Sequence, residues 1–245
     1  MHVLCKHIKL NYAPFLLHRR KPVKGTLLMN AIIFGAPGSG KGTYSALLKE
    51  KLGDEVISMG DIFRLMLMEN SIIGRIIKSY VNAGLLVPDI IVVEVLKERI
   101  ANGAKGKGFI LDGYPRTLAQ AEALEAISKI DVIIRLVVPN WIIIERLSSR
   151  RICRDCGQVY NVRFLKPKKE GICDKCGGTL YQRSDDNPEV IKMRLELYES
   201  ETRPLLRFYD GKKVPIIVHK IVDLDTPPEK VVGYIVKELK EIKLA

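Results

Sequence analysis

The sequence predicts a three-layer α/β protein, in which helices cover both faces of a parallel sheet. Short apolar runs of strand length recur along the chain, and segments with helical spacing lie between them. A glycine-rich turn follows the first apolar run and precedes the first helical segment. The 245 residues are enough for one or two domains with a sizeable buried core. Strands that alternate with helices are typical of parallel sheets covered on both sides.

The individual elements follow from this periodicity. Buried strands are predicted at 31–34, 55–58, 109–111, 132–138 and 215–222. Helices are predicted near 41–52, 61–69, 71–83, 89–102, 117–127, 139–151, 187–208 and 228–243. Asn187-Pro188-Glu189 favours a helix start, with asparagine as the cap and proline in the first turn. Residues 152–182 interrupt the alternation with CxxC pairs and short β-prone pieces, which predicts a small insertion held by a metal.

The composition excludes several classes of protein. Hydrophobic residues make up 47% and charged residues 28%, as in ordinary soluble domains, and no apolar run approaches the roughly 20 residues of a membrane span. The net charge is +12, but six basic and no acidic residues lie in 1–28. The remainder is only mildly basic, which argues against a nucleic-acid partner. Residues 1–28 are predicted to be a flexible leader or the product of a misplaced start, with a targeting segment as the alternative.

A phosphate-binding loop of the P-loop NTPase type is predicted at 35–43, between a strand and a helix. Its glycines let the backbone wrap a phosphate, and Lys41 is placed to reach the β- and γ-phosphates. The residues expected to contact the donor nucleotide here are Gly38, Ser39, Gly40, Lys41, Gly42 and Thr43. Gly42 stands directly after the lysine, where a hydroxyl residue is usual, so magnesium is expected to be held through water and carboxylates. Asp112, at the carboxyl end of a predicted strand, is the first candidate and Asp61 the second.

A structural metal site is predicted from four cysteines. Cys153 and Cys156 form one CxxC pair, Cys173 and Cys176 form another, and 16 residues separate the pairs. Zinc takes four such thiolates tetrahedrally and keeps no open position, so the site would stabilise a loop-rich insert with little core of its own. Iron in the same ligands and a pair of disulfides are the alternatives. The pattern favours a reducing compartment, and no role is expected for Cys5.

Four motifs in this order resemble those of the adenylate kinase family. They are GAPGSGKGT at 35–43, SMGDIFR at 58–64, LDGYPRT at 111–117 with Gln120 beyond, and RSDD at 183–186. The resemblance covers about 29–245. It implies a core formed by 29–57, 88–148 and 187–245, an insertion at 58–87 that binds the nucleoside monophosphate, and a zinc-bound lid at 149–186.

The resemblance implies a magnesium-dependent, reversible transfer of the γ-phosphoryl group of ATP to AMP, giving two ADP. The catalytic side chains would be Lys41, Asp112, Arg116, Arg150, Arg183 and Arg194. The donor site would add Arg146, Arg150, Val159 and Tyr160 to the loop, although Val159 and Tyr160 are also consistent with ordinary lid core. The acceptor site would contain Met59, Arg64, Leu85, Leu86, Val87, Gly113, Tyr114, Pro115, Arg116, Gln120, Arg183 and Arg194. Arg146 precedes Arg150 by one turn of a predicted helix, so both are expected to face the same cleft.

Two other functions stay open at this point. Met59 stands where many adenylate kinases have threonine, which leaves a UMP/CMP kinase of the same family as an alternative. A more distant alternative is a nucleic-acid-binding ATPase with a zinc ribbon, against which Arg64, Arg116 and Gln120 argue. The leading interpretation expects ATP, AMP and ADP as partners, with no nucleic acid and no membrane, and a monomer in the cytoplasm.

Overall fold

A computed structural model describes residues 29–68, 71–104, 108–224 and 226–243, so the predicted leader at 1–28 lies outside the described residues. Within these ranges the strands are β1 Asn30–Phe34, β2 Glu55–Ser58, β3 Phe109–Asp112, β4 Val132–Val137, β5 Arg150–Cys153, β6 Val159–Asn161, β7 Leu180–Tyr181 and β8 Ile216–Lys220. Five of them form a parallel sheet in the order β2-β3-β1-β4-β8, and three form an antiparallel sheet in the order β6-β5-β7. The predicted α/β class and the five predicted core strands are confirmed.

The α-helices of the described ranges are α1 Lys41–Leu52, α2 Met59–Met68, α3 Ile72–Asn82, α4 Asp89–Arg99, α5 Leu118–Ile127, α6 Asn140–Ser148, α7 Pro188–Leu197, α8 Leu205–Gly211 and α9 Pro228–Lys243. π-Helical turns extend α4 over Ile100–Ala104 and α7 over Tyr198–Thr202, and a 3-10 turn spans Ser184–Asp186. Among the described residues, no helix combines the length and the apolar character that crossing a membrane requires.

The parallel sheet buries both faces, as the near-continuous apolar strands predict. In β1, Ile32 and Phe34 face a cluster built with α2, α4, α5 and α8. Ala31 and Ile33 face the opposite cluster, built with α1 and α9. Since successive strand residues point to opposite faces, one strand supplies both layers of core. The sheet therefore fixes the carboxyl ends of its strands, where the loops that carry the motifs begin.

Two predicted helices differ from the structure. The segment predicted as helical at 139–151 ends at Ser148, and Arg150 begins a strand that pairs with β6. The segment predicted at 187–208 is divided, because Pro204 has no N–H group with which to continue the helix before α8. Arg203 N donates to Tyr198 O at 2.8 Å in the π-helical turn that precedes this break.

Candidate active site

Glycines shape the loop that joins β1 to α1. Gly38 and Gly40 have φ values of 78° and 96°, a left-handed conformation that glycine adopts without strain. A Cβ atom on Gly38 would also lie 2.8 Å from Cγ of Leu147 on α6, too close for a side chain. The loop leads into the first turn of α1, whose free backbone N–H groups attract a negatively charged group. The local structure is therefore that of a phosphate-binding loop.

Lys41 opens α1 and turns back over this loop. Its Nζ donates hydrogen bonds to the backbone oxygens of Gly35 at 2.6 Å and Ala36 at 2.9 Å. Desolvation lowers the pKa of Lys41 to about 8, although the negative charge of Asp112 opposes this effect. A lysine with a lowered pKa in a cleft is typical of a group that awaits an anionic ligand.

Three arginines from distant parts of the chain contribute to the lowered pKa of Lys41. They are Arg116, Arg194 and Arg150, in decreasing order of effect. Arg116 follows β3, Arg150 begins β5, and Arg194 lies on α7. Four cationic side chains thus act on one another across a single cleft at the carboxyl edge of the sheet. Such an accumulation of positive charge suits a ligand with several phosphates.

Asp112 is the carboxylate of this cleft. It ends β3, and its pairing with Ile33 of the neighbouring β1 places it beside the start of the loop. A Cβ atom on Gly42 would lie 3.6 Å from Asp112 Oδ2, so the carboxylate approaches the first turn of α1. Burial raises the pKa of Asp112, and the charge of Lys41 only partly offsets this. A bound divalent cation would favour the ionised form, so the position fits a carboxylate that holds magnesium directly or through water.

An arginine–aspartate cluster, formed by Arg150, Arg183, Arg194, Asp185 and Asp186, lies where the lid joins α7. Arg150 donates from Nε and Nη2 to Asp186 at 2.8 and 2.5 Å. Arg183 forms a two-bonded pair with Asp185. Arg194 donates to the backbone oxygen of Asp185 at 3.0 Å and to its Oδ2 at 2.9 Å. The two aspartates therefore hold the three arginines together.

The charges in this cluster perturb one another. Burial alone would raise the pKa of Asp185, but Arg183 and Arg194 outweigh it and lower that pKa to about 2. Burial lowers the pKa of Arg194 to about 10, despite the attraction of Asp185. The aspartates are buried, at 5% and 1% exposed, so the pairs are largely shielded from solvent and salt.

On the acceptor side, a hydrogen-bonded network joins Arg116, Thr117 and Gln120 to Asp89. Gln120 Oε1 accepts from the backbone N–H of Arg116 at 2.8 Å, and its Nε2 donates to Asp89 Oδ1 at 2.7 Å. Thr117 caps α5 and donates from its hydroxyl to Asp89 Oδ2 at 3.0 Å. Arg116 Nε donates to Gly113 O at 2.9 Å. The guanidinium and the amide predicted for the acceptor are thus neighbours held by one framework.

The other predicted acceptor residues surround this framework. Arg64 lies on α2 and pairs with Asp61, one helical turn before it. Met59 is 1% exposed and packs in the core cluster, and Val87 is buried before α4. Leu85, 43% exposed, and the half-buried Leu86 precede Val87 in the same loop. Gly113, Tyr114 and Pro115 form the turn after β3, where the Tyr114 hydroxyl donates to Gln120 O at 2.8 Å.

The donor-side prediction for Arg146 and Arg150 needs a correction. Arg146 lies on α6 and donates from Nη1 to Ser39 O at 3.3 Å, which places it at the loop. Arg150 is not one turn further along that helix, because strand pairing with Asn161 draws it into β5. Arg150 nevertheless contributes to the lowered pKa of Lys41, so the two arginines approach the cleft from a helix and a strand.

Val159 and Tyr160 lie on β6 of the lid. The Tyr160 side chain is 5% exposed and packs with Cys153 and Cys173, and its hydroxyl accepts from the backbone N–H of Asp174 at 2.7 Å. Its side chain is therefore lid core, the alternative that the sequence left open. A nucleotide contact at this position would have to come from the backbone.

The four predicted metal ligands come together in the lid. The sulfur atoms of Cys153, Cys156, Cys173 and Cys176 all lie within 4.8 Å of one another. Cys153 and Cys176 are 3.4 Å apart at sulfur, and Cys156 and Cys173 are 3.5 Å apart. Zinc–sulfur bonds of about 2.3 Å in a tetrahedron separate the sulfurs by about 3.8 Å, so the arrangement fits a metal site with four cysteine ligands. All four are free cysteines, so the disulfide alternative is not what the structure shows.

Sequence reasoning gave no role to Asp185, Asp186 or Asp89. The first two stand in the RSDD motif, where acids beside an arginine are a signal for ion pairing. Asp89 follows Pro88 at a helix start, so its sequence context indicates only an acidic residue in the first turn of a helix, which is a common arrangement. Its contact with Gln120 joins positions 31 residues apart in the sequence, which no local pattern reveals.

Comparisons with known proteins agree with this geometry. Residues 33–214 match the sequence model of the family described as adenylate kinase. An adenylate kinase of Caldicellulosiruptor saccharolyticus is 49% identical over 189 residues, which cover 75% of this chain and 88% of that protein. An adenylate kinase of Geobacillus sp. strain WCH70 is 47% identical over 189 residues, 75% of this chain and 88% of the relative. One from Treponema denticola is 44% identical over 207 residues, 84% of this chain and 96% of the relative.

Proposed function

This chain belongs to the adenylate kinase family, and we propose that its cleft transfers the γ-phosphoryl group of ATP to AMP, forming two ADP. The observation that carries the proposal is the convergence of Lys41, Asp112 and three arginines at the carboxyl edge of one sheet. A phosphate-binding loop alone would serve many reactions. An acceptor nucleotide requires a second site beside the loop, with arginines for its phosphate and an amide that can hydrogen-bond to its nucleobase.

We propose that the donor ATP lies over the loop after β1. The N–H groups of the loop surround its phosphates, and Lys41 gives up its bonds to Gly35 O and Ala36 O to reach the β- and γ-phosphates. Negative charge next to Lys41 raises its lowered pKa, so a bound nucleotide further favours the ammonium form. Arg146, beside the loop at Ser39 O, completes the donor side.

The acceptor AMP is proposed to bind between α2 and the turn after β3. Arg64 and Arg116 would hold its phosphate with the planar, two-bonded geometry that guanidinium groups offer. Gln120 would contact the base through its amide, and the backbone at Leu85, Leu86 and Val87 would line the base pocket. Met59 donates no hydrogen bond, so base selection depends on Gln120 and on shape.

Magnesium fits this site because Asp112 is a buried carboxylate next to the loop. When bound with ATP, the ion neutralises charge on the β- and γ-phosphates. Asp112 would hold it together with water. Thr43 is next along α1, after Gly42, and the exposed Asp61 is the second candidate carboxylate.

Zinc in the four-cysteine site would stabilise the lid without entering the reaction, because four thiolates leave no open coordination position. Arg150 and Arg183 flank this lid and reach the cluster from its two ends. When phosphates replace Asp185 and Asp186 as their partners, the arginines can close over the transferring group and exclude water. We also propose a monomer that works in the cytoplasm, since four free cysteines suit a reducing compartment.

A coupled assay of ADP formation, with donor and acceptor varied independently, tests this function. We expect rapid turnover with ATP and AMP, dependence on magnesium, and slower reaction with CMP and UMP. Faster reaction with CMP or UMP would instead favour the pyrimidine kinase. ATP hydrolysis that DNA or RNA stimulates, without any acceptor phosphorylation, would contradict the proposal and favour the zinc-ribbon ATPase.

A further inference from the structure

The amide of Gln120 is held between two partners that accept only one orientation. A backbone N–H, that of Arg116, can only donate, and it faces Oε1 at 2.8 Å. A carboxylate, that of Asp89, can only accept, and it faces Nε2 at 2.7 Å. Rotation of the amide by 180° would set two donors against each other on one side and two acceptors on the other. Gln120 is 1% exposed, so bulk solvent does little to offset that conflict.

Asp89 is itself fixed. Its other oxygen, Oδ2, accepts from the hydroxyl of Thr117 at 3.0 Å, and Thr117 caps the helix that carries Gln120. Asp89 is also the first residue of α4, directly after the Leu85–Pro88 loop beside the proposed base pocket. The carboxylate therefore connects the helix that bears the amide to the loop that would line the base.

We propose that Asp89 is a positioning residue that selects the acceptor base by locking the orientation of the Gln120 amide. An amide nitrogen has two hydrogens and an amide oxygen has two lone pairs, so one of each remains after the bonds within the described structure are made. The locked amide offers this donor and this acceptor in a fixed order. The inference rests on the proposed function, because it requires a base at Gln120.

The fixed order distinguishes two purines of the same shape. Adenine presents a donor at N6 and an acceptor at N1, whereas hypoxanthine presents an acceptor at O6 and a donor at N1. In the locked orientation Oε1 accepts from adenine N6 and Nε2 donates to N1. Hypoxanthine in the same place would set O6 against Oε1 and N1–H against Nε2. The site therefore accepts AMP and rejects IMP through hydrogen-bond polarity alone. A site whose buried polar groups would be left unpaired by the wrong substrate can discriminate strongly between two substrates.

The test compares kcat/KM for AMP and for IMP in the wild type and in Asp89→Asn. Asparagine keeps the size of aspartate but can present an NH2 group to Gln120, so the restraint at Nε2 is removed and the N–H of Arg116 alone opposes the rotation that would match hypoxanthine. We expect the AMP/IMP ratio to fall at least fivefold. Because both values come from one enzyme sample, the ratio does not depend on the folded fraction. The ratio of the AMP and IMP dissociation constants gives the same information if turnover is slow.

A double-mutant cycle shows whether Asp89 acts through Gln120. In a Gln120→Ala background, Asp89→Asn is expected to change the ratio less than twofold. Asp210→Asn, an exposed carboxylate on α8, serves as the matched control and should leave the ratio unchanged.

An unchanged ratio in Asp89→Asn, or an equal fall with and without Gln120, would overturn the positioning role. A parallel loss for AMP and IMP would likewise reduce Asp89 to a structural residue. If the wild type phosphorylated neither nucleotide, the proposed function itself would fail, so the two failures are distinguishable.

Discussion

The parallel-sheet core and the lid are stabilised in different ways. Each face of the large sheet packs against a cluster of more than a dozen buried apolar side chains. The buried cluster of the lid consists of Cys153, Tyr160 and Cys173, with Leu180 packed against it. Burial at roughly 25 cal/mol per Å2 stabilises the first region, whereas a core of three side chains cannot order a segment of this length. A metal held by the four clustered cysteines would supply the stability that this small core lacks.

The two regions also supply different chemistry. The core provides the loop after β1, Lys41 at the start of α1, and Asp112 at the end of β3. The lid and its junction with α7 provide Arg150, Arg183 and Arg194, which buried aspartates hold. In the proposed mechanism, the phosphate site of the core thus faces a set of cations that would exchange these aspartates for phosphates on closure.

Removal of one metal ligand should have the largest effect, because structural zinc contributes on the order of 10 kcal/mol to the folding of small zinc domains. We expect Cys153→Ser to unfold the lid while the core stays folded. Limited proteolysis should then cut within 152–182, and the bound zinc measured per chain should fall below one.

Cys5→Ser is the matched control, since it leaves the four clustered cysteines intact, and it should leave both readouts unchanged. Full zinc content and an uncut lid in Cys153→Ser would contradict the claim that a metal bound by the four cysteines stabilises the lid.

Lys41→Met should have the next largest effect, this time on the core chemistry. The variant keeps much of the side-chain volume but lacks the cation at the phosphates, so we expect kcat to fall about 100- to 1000-fold, or about 3–4 kcal/mol. The melting temperature should change little. Lys51→Met, an exposed lysine of the same helix, should retain normal turnover. Comparable rates for the two variants would remove Lys41 from the mechanism.

The core could be predicted from the sequence far better than the lid junction could. The apolar runs and the loop motif are local patterns, and they predicted five strands and the position of Lys41. Arg150 was misplaced on a helix, because its strand forms through tertiary pairing with β6 and β7, in which Arg150 lies opposite Asn161, eleven residues away in sequence. Asp186 and Asp89 act through contacts with residues 36 and 31 positions away, so periodicity could not assign them. Asp185 pairs with the nearby Arg183 and Arg194, and the RSDD motif carried a local signal for that pairing.

The pairing of Asp185 with Arg183 and Arg194 predicts a pH-dependent stability. The pKa of Asp185 is lowered to about 2 in the folded protein, so its contribution is present above about pH 4 and is lost as the pH falls through about 2. Between wild type and Asp185→Asn we expect a gap of about 2 kcal/mol in the free energy of unfolding at pH 7. Urea titrations at several pH values should show the gap closing between about pH 4 and pH 2. A gap independent of pH would contradict this origin.

The smallest predicted effect lies at the start of α7, where the lid joins this helix. Asn187 caps α7 by accepting from the backbone N–H of Val190 at 2.9 Å. Asn187→Ala should lower the free energy of unfolding by about 1 kcal/mol, whereas Asn187→Asp keeps the accepting oxygen and should cost much less. Equal losses in the two variants, measured by urea unfolding, would show that the cap is not the cause.

The central claim is that donor and acceptor nucleotides occupy one cleft at the same time, phosphate to phosphate. Calorimetric titration with two adenosines bridged by five phosphates tests it most directly. We predict one molecule bound per chain, more tightly than ATP or AMP, with both nucleotides displaced and with binding weakened by Lys41→Met and by Arg116→Ala. Binding of two molecules per chain, or binding that leaves the AMP affinity unchanged, would contradict the account.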